Sequence, residues 1–482
     1  MTVSKMAFSL ITLCGVAFVG GSWYSGKLAE EKYQSYIDHA NQEFKAKFAK
    51  FGADIAISNV AFTRHFFTSD MRYQIVLKDK ARGETIEFPV EGVLYHGPFP
   101  LNRLKQFSLI PMMFSAENQF VAINPIKSYV DDKYMATVIT DIGYSGEMRA
   151  TKIMTPKVNF HERKGTETLE GTVSAGEIAI AKTTSNQWMA NYQLPYVEMK
   201  TKNKQNPTTM DFRIDRISGN SVWDHGEWLS YYFGNSQGEI AIDSMTLSND
   251  KNKFFLDDIR AESHSQIKDG RLQVTNKGNV DIHAELATAG AVNFGKISME
   301  SLIELDSNAY AALIDQIPLS QANVAPDNQK LARLAEALVA KPIKFAMGPI
   351  VLENTKGKNS FELIAGIKGL TPKQAETLSP DEILKVFTDS RVAFDLNLQS
   401  LEELIRQFGL LDTQNKEEAA QQAKQIMNMF VQQAQQLQRQ NLLMMDNESI
   451  SFKLELNNGI IQLNDKEISL TELSKLFSPQ PN

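Results

Sequence analysis

A chain of 482 residues with a net charge of -7 and a pI near 5.7 lacks the basic face that phosphate binding needs, which argues against a nucleic-acid partner. Hydrophobic residues at 43% and charged residues at 22% are ordinary for a folded globule, so neither a polytopic membrane protein nor a disordered chain fits, and the length allows two or three packed layers or domains. The one cysteine, Cys14, lies near the N-terminus; everything after it is without disulfide or thiol chemistry and must be held together by core burial.

The first predicted element is an uncharged, proline-free run of 19 residues from Met6 to Tyr24. At about 1.5 Å per helical residue it reaches roughly the ~30 Å of a bilayer's hydrocarbon core. Its membrane-anchor candidates are Met6, Phe8, Leu10, Ile11, Leu13, Val16, Phe18 and Val19, with Trp23 and Tyr24 placed as an interfacial belt. Lys5 and the amino terminus put positive charge on the near side, which keeps that end cytoplasmic and sends the body across. A cleaved signal peptide is the competing reading, with Gly15 and Ala17 as small residues for a peptidase; the length of the run and its aromatic end favour a retained anchor. Leu13 is bulky where a lipidation signal uses a small residue, so Cys14 reads as a buried thiol.

Residues 27–52 read as a helical stalk. Leu28, Tyr33, Tyr36, Ile37, Ala40, Phe44 and Phe48 recur at three- and four-residue intervals, one helix face that packs on its own domain, and Gly52 is placed to end it.

Residues 53–299 change to period two, the mark of half-buried strands. Ile55 and Ile57, Tyr73 with Ile75 and Leu77, Ile178 and Ile180, Ile240 and Ile242, and Ile282 with Ala284 and Leu286 alternate with polar residues. Arg82-Gly83, Lys164-Gly165, Asp269-Gly270 and Lys277-Gly278 read as turns between antiparallel strands. Residues 300–482 read as a mixed α+β domain packed on the first. Helices are predicted over Ser301–Ile317, Asp327–Ala340, from Ser379-Pro380-Asp381, over Leu401–Leu411 and over Lys416–Asn441, the last with Ala423, Met427, Phe430, Ala434 and Leu437 on one side and glutamine opposite. A hairpin turning at Asn458-Gly459 and a short helix from Thr471 to Phe477 end the chain. The fold class is α+β: one N-terminal transmembrane helix over residues 1–26, then antiparallel β-rich sheets, with amphipathic helices mainly in the C-terminal half.

Three stretches carry chemistry-bearing residues. His96 precedes the rigid turn Gly97-Pro98-Phe99-Pro100; with no second ligand at metal spacing it reads as a hydrogen-bonded corner. Ile142-Gly143-Tyr144-Ser145-Gly146-Glu147 fails as a nucleophile elbow, because Glu147 stands where glycine is needed and the flanks read strand to strand. In Trp223–Phe233, Asp224, His225 and Glu227 are potential ligands whose adjacency points them apart, whereas Trp223, Trp228, Tyr231, Tyr232 and Phe233 form an aromatic cluster suited to a core or an interface. No cofactor or metal site and no catalytic residue is expected.

The stretches Gly20-Gly21-Ser22-Trp23-Tyr24-Ser25-Gly26-Lys27, Tyr95-His96-Gly97-Pro98-Phe99-Pro100-Leu101 with Leu109-Ile110-Pro111, Ile142-Gly143-Tyr144-Ser145-Gly146 and the terminal Asn-Gly hairpin resemble the YdgA-like family of bacterial envelope proteins, a domain of unknown function. That resemblance implies a single-pass inner-membrane protein with its body in the periplasm, a homodimer, and no catalytic residues; another envelope protein as partner is what the grooves and edges of one-sided sheets allow. The residues leave two function classes: a binding or envelope-assembly protein, whose lipid version needs an apolar groove on a sheet, and an envelope-polymer hydrolase, which needs converging carboxylates.

Overall fold

The computed structural model describes residues 3–48, 53–79, 83–203, 209–224, 234–314, 328–413 and 415–477, with side chains of the first helix described from residue 18 to residue 45. In chain order the elements are α1 (Val3–Phe48), β1 (Ala53–Arg64), β2 (Thr68–Asp79), β3 (Glu84–His96), α2 (Leu101–Leu104), β4 (Phe114–Val121), β5 (Tyr134–Ile142), β6 (Met148–Thr155), β7 (Val158–Lys164), β8 (Glu167–Val173), β9 (Gly176–Lys182) and β10 (Trp188–Asn203). There follow β11 (Thr209–Trp223), β12 (Ser236–Asn249), β13 (Asn252–Lys268), β14 (Arg271–Leu286), β15 (Gly290–Asp306), α3 (Ser307–Ile314), α4 (Asn328–Val339), β16 (Ile343–Asn354) and β17 (Gly357–Ile367). The chain closes with α5 (Pro372–Ala375), α6 (Pro380–Leu384), β18 (Phe387–Asn397), α7 (Leu398–Thr413), α8 (Lys416–Arg439), β19 (Met444–Met445), β20 (Ser449–Asn457), β21 (Ile460–Leu463), β22 (Lys466–Ile468) and α9 (Leu470–Phe477). The fold is therefore mostly antiparallel sheet with several helices, the coarse form of the class expected from alternation and helix spacing.

Two compact units emerge: one of residues 1–162, 170–195 and 317–326, the other of residues 163–169, 196–316 and 327–482. In the first unit the strands pair antiparallel in the order β1-β2-β3-β4-β5-β6-β9-β10. Helix α1 packs on β1 and β3, and its residue Ala29 joins Leu94, Met113, Phe114 and Ala116 in a buried cluster. In the second unit β11 to β18 pair in sequence order, then β18 with β20, β20 with β21 and β21 with β22. Its core gathers Ala284, Leu286, Val292 and Phe294 from β14 and β15 under Leu410 of α7 and Ala419 of α8.

Most local expectations correspond to elements. Asp269 and Gly270, and Asn458 and Gly459, take positive φ at their turns (52° and 74°, 52° and 88°), the backbone that two-residue hairpin loops require. Helix α6 opens at Ser379, whose amide donates to Glu382 Oε2 at 2.8 Å, and α8 opens at Asn415, whose side chain accepts from the amides of Glu417 and Glu418. Two expectations are corrected. Lys277-Gly278 is not a turn; both residues lie inside β14, where Gly278 pairs with Ala261 and approaches the backbone oxygen of Arg260, beside the irregularity between Asp257 and Arg260. The helix placed at Ser301 starts only at Ser307, because residues 301 to 306 are held as strand by hydrogen bonding to β14, and 301 to 304 also to β16. Met299, where the sequence reading places the change of pattern, is accordingly a residue of β15.

Among the described residues no helix is long and apolar enough to cross a membrane. Of the anchor candidates, Met6, Phe8, Leu10, Ile11, Leu13 and Val16 have side chains outside the described residues, while Phe18, Val19, Trp23 and Tyr24 are described, on the same continuous helix that becomes the expected stalk.

Candidate functional site

Small residues on one stripe of α1, Ser22, Ser25, Gly26 and Ala29, let the helix approach the sheet closely, as large side chains would not. Ser22, Ser25 and Ala29 are buried. What they approach is the end of β3. The ring of His96 lies directly against Gly26, so that a Cβ at that position would collide with the imidazole. Gly97 follows with φ +99° and its α-carbon against Ser22; a β-carbon there would meet both steric and backbone strain. Ser22 Oγ donates to the His96 carbonyl oxygen at 3.3 Å.

His96 itself is fully buried, 0% exposed. Its Nε2 is 2.8 Å from Ser69 Oγ on β2, and its Nδ1 has no hydrogen-bond partner. Burial pushes the imidazole pKa down to about 4, against a smaller opposing effect of the Phe66 carbonyl, with the nearby Arg64 and His65 lowering it further. The pair superficially resembles half of a serine–histidine catalytic pair, but it lies beneath α1, where a substrate has no access. It works as a neutral wedge that fixes the helix on the sheet.

Beyond this turn a polar chain braces the β3–β4 connection. Asn102 Nδ2 donates to Ser115 Oγ at 2.8 Å, and Ser115 donates to Asp141 Oδ1 at 2.7 Å. Arg103 Nε stands 3.4 Å from Asp141 Oδ2 as an ion pair. Asn102, Ser115 and Asp141 are all buried, so each polar group depends on the others for its hydrogen bonds.

Between this pinned end and a second attachment, α1 touches the sheet at Ala29 and Tyr33 but leaves a cavity beside them. The second attachment is Asn41, whose Nδ2 donates to the Ile57 carbonyl at 3.1 Å and whose Oδ1 accepts from the Ile57 amide at 2.7 Å. Between the two lies a cavity of 350 Å³ lined from α1 by Ala29, Tyr33, Tyr36, Ile37 and Ala40, and from β1 to β5 mainly by apolar side chains such as Phe62, Met71 and Phe114. Tyr33 stacks on Phe62 with ring centroids 4.9 Å apart. The polar side chains in the lining include Tyr73 and Asn118, and the Tyr73 hydroxyl donates to Asn118 Oδ1 at 3.1 Å. Burial raises the Tyr73 pKa to about 12, so the phenol is neutral. The volume lies within the ~300–1,000 Å³ range of ligand sites, and an apolar wall with a few polar groups is their usual composition.

The sequence-predicted residues divide as follows. His96, Gly97 and Pro98 contact the Ser-Gly stripe of α1, and Pro100, which is buried, leads into α2. Ile142 pairs with Phe114, and Gly143 to Glu147 form the β5–β6 turn at the same end, Met113 donating its amide to the Ile142 carbonyl at 2.9 Å. Ser145 bonds Glu147 in that turn, whose carboxyl is held down at a pKa of about 2 mainly by that hydroxyl. Three stretches far apart in sequence thus meet at one end of the first unit. Trp223 closes β11 opposite Ser236, and Asp224 accepts from Asn235 Nδ2 at 2.7 Å. His225, Glu227, Trp228, Tyr231, Tyr232 and Phe233 lie outside the described residues. Ser69, Asn102, Ser115, Asn118 and Asp141 were not singled out by sequence, and no signal marked them; Ser22 stood only within the family-like stretch, where its small-residue spacing with Gly26 and Ala29 was the available signal, and Tyr73 only as an alternating strand residue.

A β-rich protein whose N-terminal helix closes one sheet over an apolar cleft is what these features define. The chain belongs to the family described as "Bacterial protein of unknown function (DUF945)", which it matches over residues 3–471. It is 21% identical to Protein YdgA of Escherichia coli, with 99% of this chain and 97% of that protein covered, and 20% identical to uncharacterized protein YihF of the same organism, with 98% of each covered. An uncharacterized protein of Haemophilus influenzae is 23% identical over 65% of this chain and 86% of its own length. No solved structure matches the chain. The membership expected from the Gly-Ser-Trp-Tyr and His-Gly-Pro stretches therefore holds.

Proposed function

We propose that the chain is a membrane-tethered, periplasm-facing binding protein of the bacterial inner membrane, and that the cleft between α1 and the first sheet takes an acyl chain. The observation that carries this reading is the 350 Å³ apolar cavity, which lies between the contact of α1 at Gly26 and its hydrogen bonds at Asn41. From Ala29 to Ala40 the helix covers roughly 17 Å at about 1.5 Å per residue, long enough to lie along an extended hydrocarbon. The uncharged run Met6–Tyr24 on the same helix supports the tether and puts the cleft within reach of membrane lipid.

A photo-reactive amino acid at Tyr36, half exposed on the cleft wall, tests the reading in cells. A phospholipid adduct on the full-length chain, lost when Ala116→Phe fills the cleft, is the expected result. An adduct to one protein instead would make this an assembly protein, and absence of both would sink the binding reading.

A further inference from the structure

The pinned end of the first unit is also where its apolar tips collect. Phe18 of α1 stacks on Phe67 in the β1–β2 turn, ring centroids 5.5 Å apart, and Phe66 beside it is exposed. Pro98 packs against Gly21 of α1, and its carbonyl accepts from the Met112 amide at 3.0 Å, closing the base of a loop that runs between them. On that loop stand Phe107, 94% exposed, Leu109, 69%, and Ile110. With Tyr24 of α1 at 63%, Phe107 and Leu109 are the three most exposed large apolar side chains among the described residues. All three belong to one end of one unit. The loop is built rather than loose: the amides of Gln106 and Ser108 both donate to the Arg103 carbonyl at 3.0 Å, and the Arg103 side chain is tied to Asp141.

We propose that this end of the first unit lies against the lipid surface, with Phe107, Leu109 and Ile110 inserted at the headgroup level beside the emerging helix. The inference rests on the reading of α1 as a membrane anchor. The occupant follows from position: the loop's base touches α1 at Gly21, within the last turn of the uncharged run, and Phe18 to Tyr24 spans about 9 Å of helix, the depth to which interfacial segments typically bury their apolar side chains. Trp23 and Tyr24 mark an interface of that kind. Lys27, whose ammonium lies 5.8 Å from the Trp23 ring centre, and Lys105 on the loop supply cations for anionic headgroups. A protein partner would need no coincidence between the apolar loop and the end of the run.

The test uses the full-length chain in vesicles of phosphatidylethanolamine and phosphatidylglycerol. An environment-sensitive fluorophore is attached in detergent at Phe107→Cys or Ile110→Cys in a Cys14→Ser background, at Ile86→Cys near the opposite end of β3, or at the native Cys14. Blue-shifted emission at 107 and 110, quenched by bromine atoms on the acyl chains, with water-like and unquenched emission at 86, is the expected result. A water-like signal at 107 and 110 with Cys14 quenched overturns the insertion and leaves the anchor standing. Water-like signals at all positions overturn both, and quenching at 86 equal to that at 107 overturns the orientation. Exposed positions make misfolding of the labelled chains a poor explanation of a negative result, and the two loop positions check each other.

Discussion

The two units solve the same problem, a sheet with one apolar face, in different ways. In the first, α1 is laid along the sheet and fastened at both ends of a cleft. In the second, rows of apolar residues run straight across the strands: Phe212, Leu247, Phe254, Ala284 and Val292 face one another on β11 to β15, and Met299, Ile350, Phe361, Phe394 and Phe452 on β15 to β20. Helices α7 and α8 bury the Ala284–Val292 end of this face, while Leu247, Phe254, Met299 and Phe361 remain partly open to solvent. The contrast teaches that burial in the first unit depends on a helix held by small residues and one wedge, whereas in the second it depends on apolar rows of which one end lies under a helix pair.

Gly97→Val attacks the first solution most directly. A β-branched side chain at φ +99° costs about 1–2 kcal/mol in backbone strain and a further ~1–3 kcal/mol in overpacking against Ser22. Hydrogen exchange should speed up in α1 and β3, with β14 and β15 as reference. Equal loss of protection in both places would break the contrast.

Leu410→Ala is the counterpart in the second unit. The side chain is 1% exposed and sits over Ala284 and Val292, so its truncation should cost about 2–5 kcal/mol. Faster exchange across the β14–β15 turn is the readout; unchanged exchange there would mean α7 does not stabilise that layer.

Acid should single out the first unit. His96 has its native pKa pushed down to about 4 from 6.5, so the unfolded chain binds a proton that the native state refuses throughout that window. The stability from keeping the ring neutral is fully present above pH 6.5 and is lost as pH falls to about 4, on the order of 3 kcal/mol at 1.36 kcal/mol per pKa unit. Unfolding midpoints in urea, taken from α1 and β3 between pH 7 and 4, should fall with pH, and less so in His96→Gln. An identical slope in the variant would remove His96 as the source.

Much of this architecture was legible because it is local. Helix spacing from Leu28 to Phe44 and the turns at Asp269-Gly270 and Asn458-Gly459 depend on neighbours within a few residues. The misplacements at Gly278 and at Ser301–Asp306 arose where strand pairing overrode local preference. The pinned end was hidden for a different reason: Ser22 and His96 are 74 positions apart, and nothing in either stretch names the other. The cleft was foreseeable only as a groove on a one-sided sheet, not as a space between that sheet and the supposed stalk.

The smallest effect bears on how the cleft is framed. Asn41 supplies to Ile57 of β1 the donor and acceptor that a neighbouring strand would otherwise supply, β2 being the paired strand on the other side. Asn41→Ala leaves both backbone groups partly buried without that partner, a loss of about 1–2 kcal/mol, small enough to keep the chain folded. If α1 is fastened at two points, the Ile57 amide should exchange faster while the Ser22–His96 end stays protected, and lipid adducts at Tyr36 should become less uniform as that end of the cleft loosens. If instead α1 is held continuously along its length, exchange at Ile57 will barely change, and the cavity must be attributed to side-chain shape rather than to the spacing of its two fastenings.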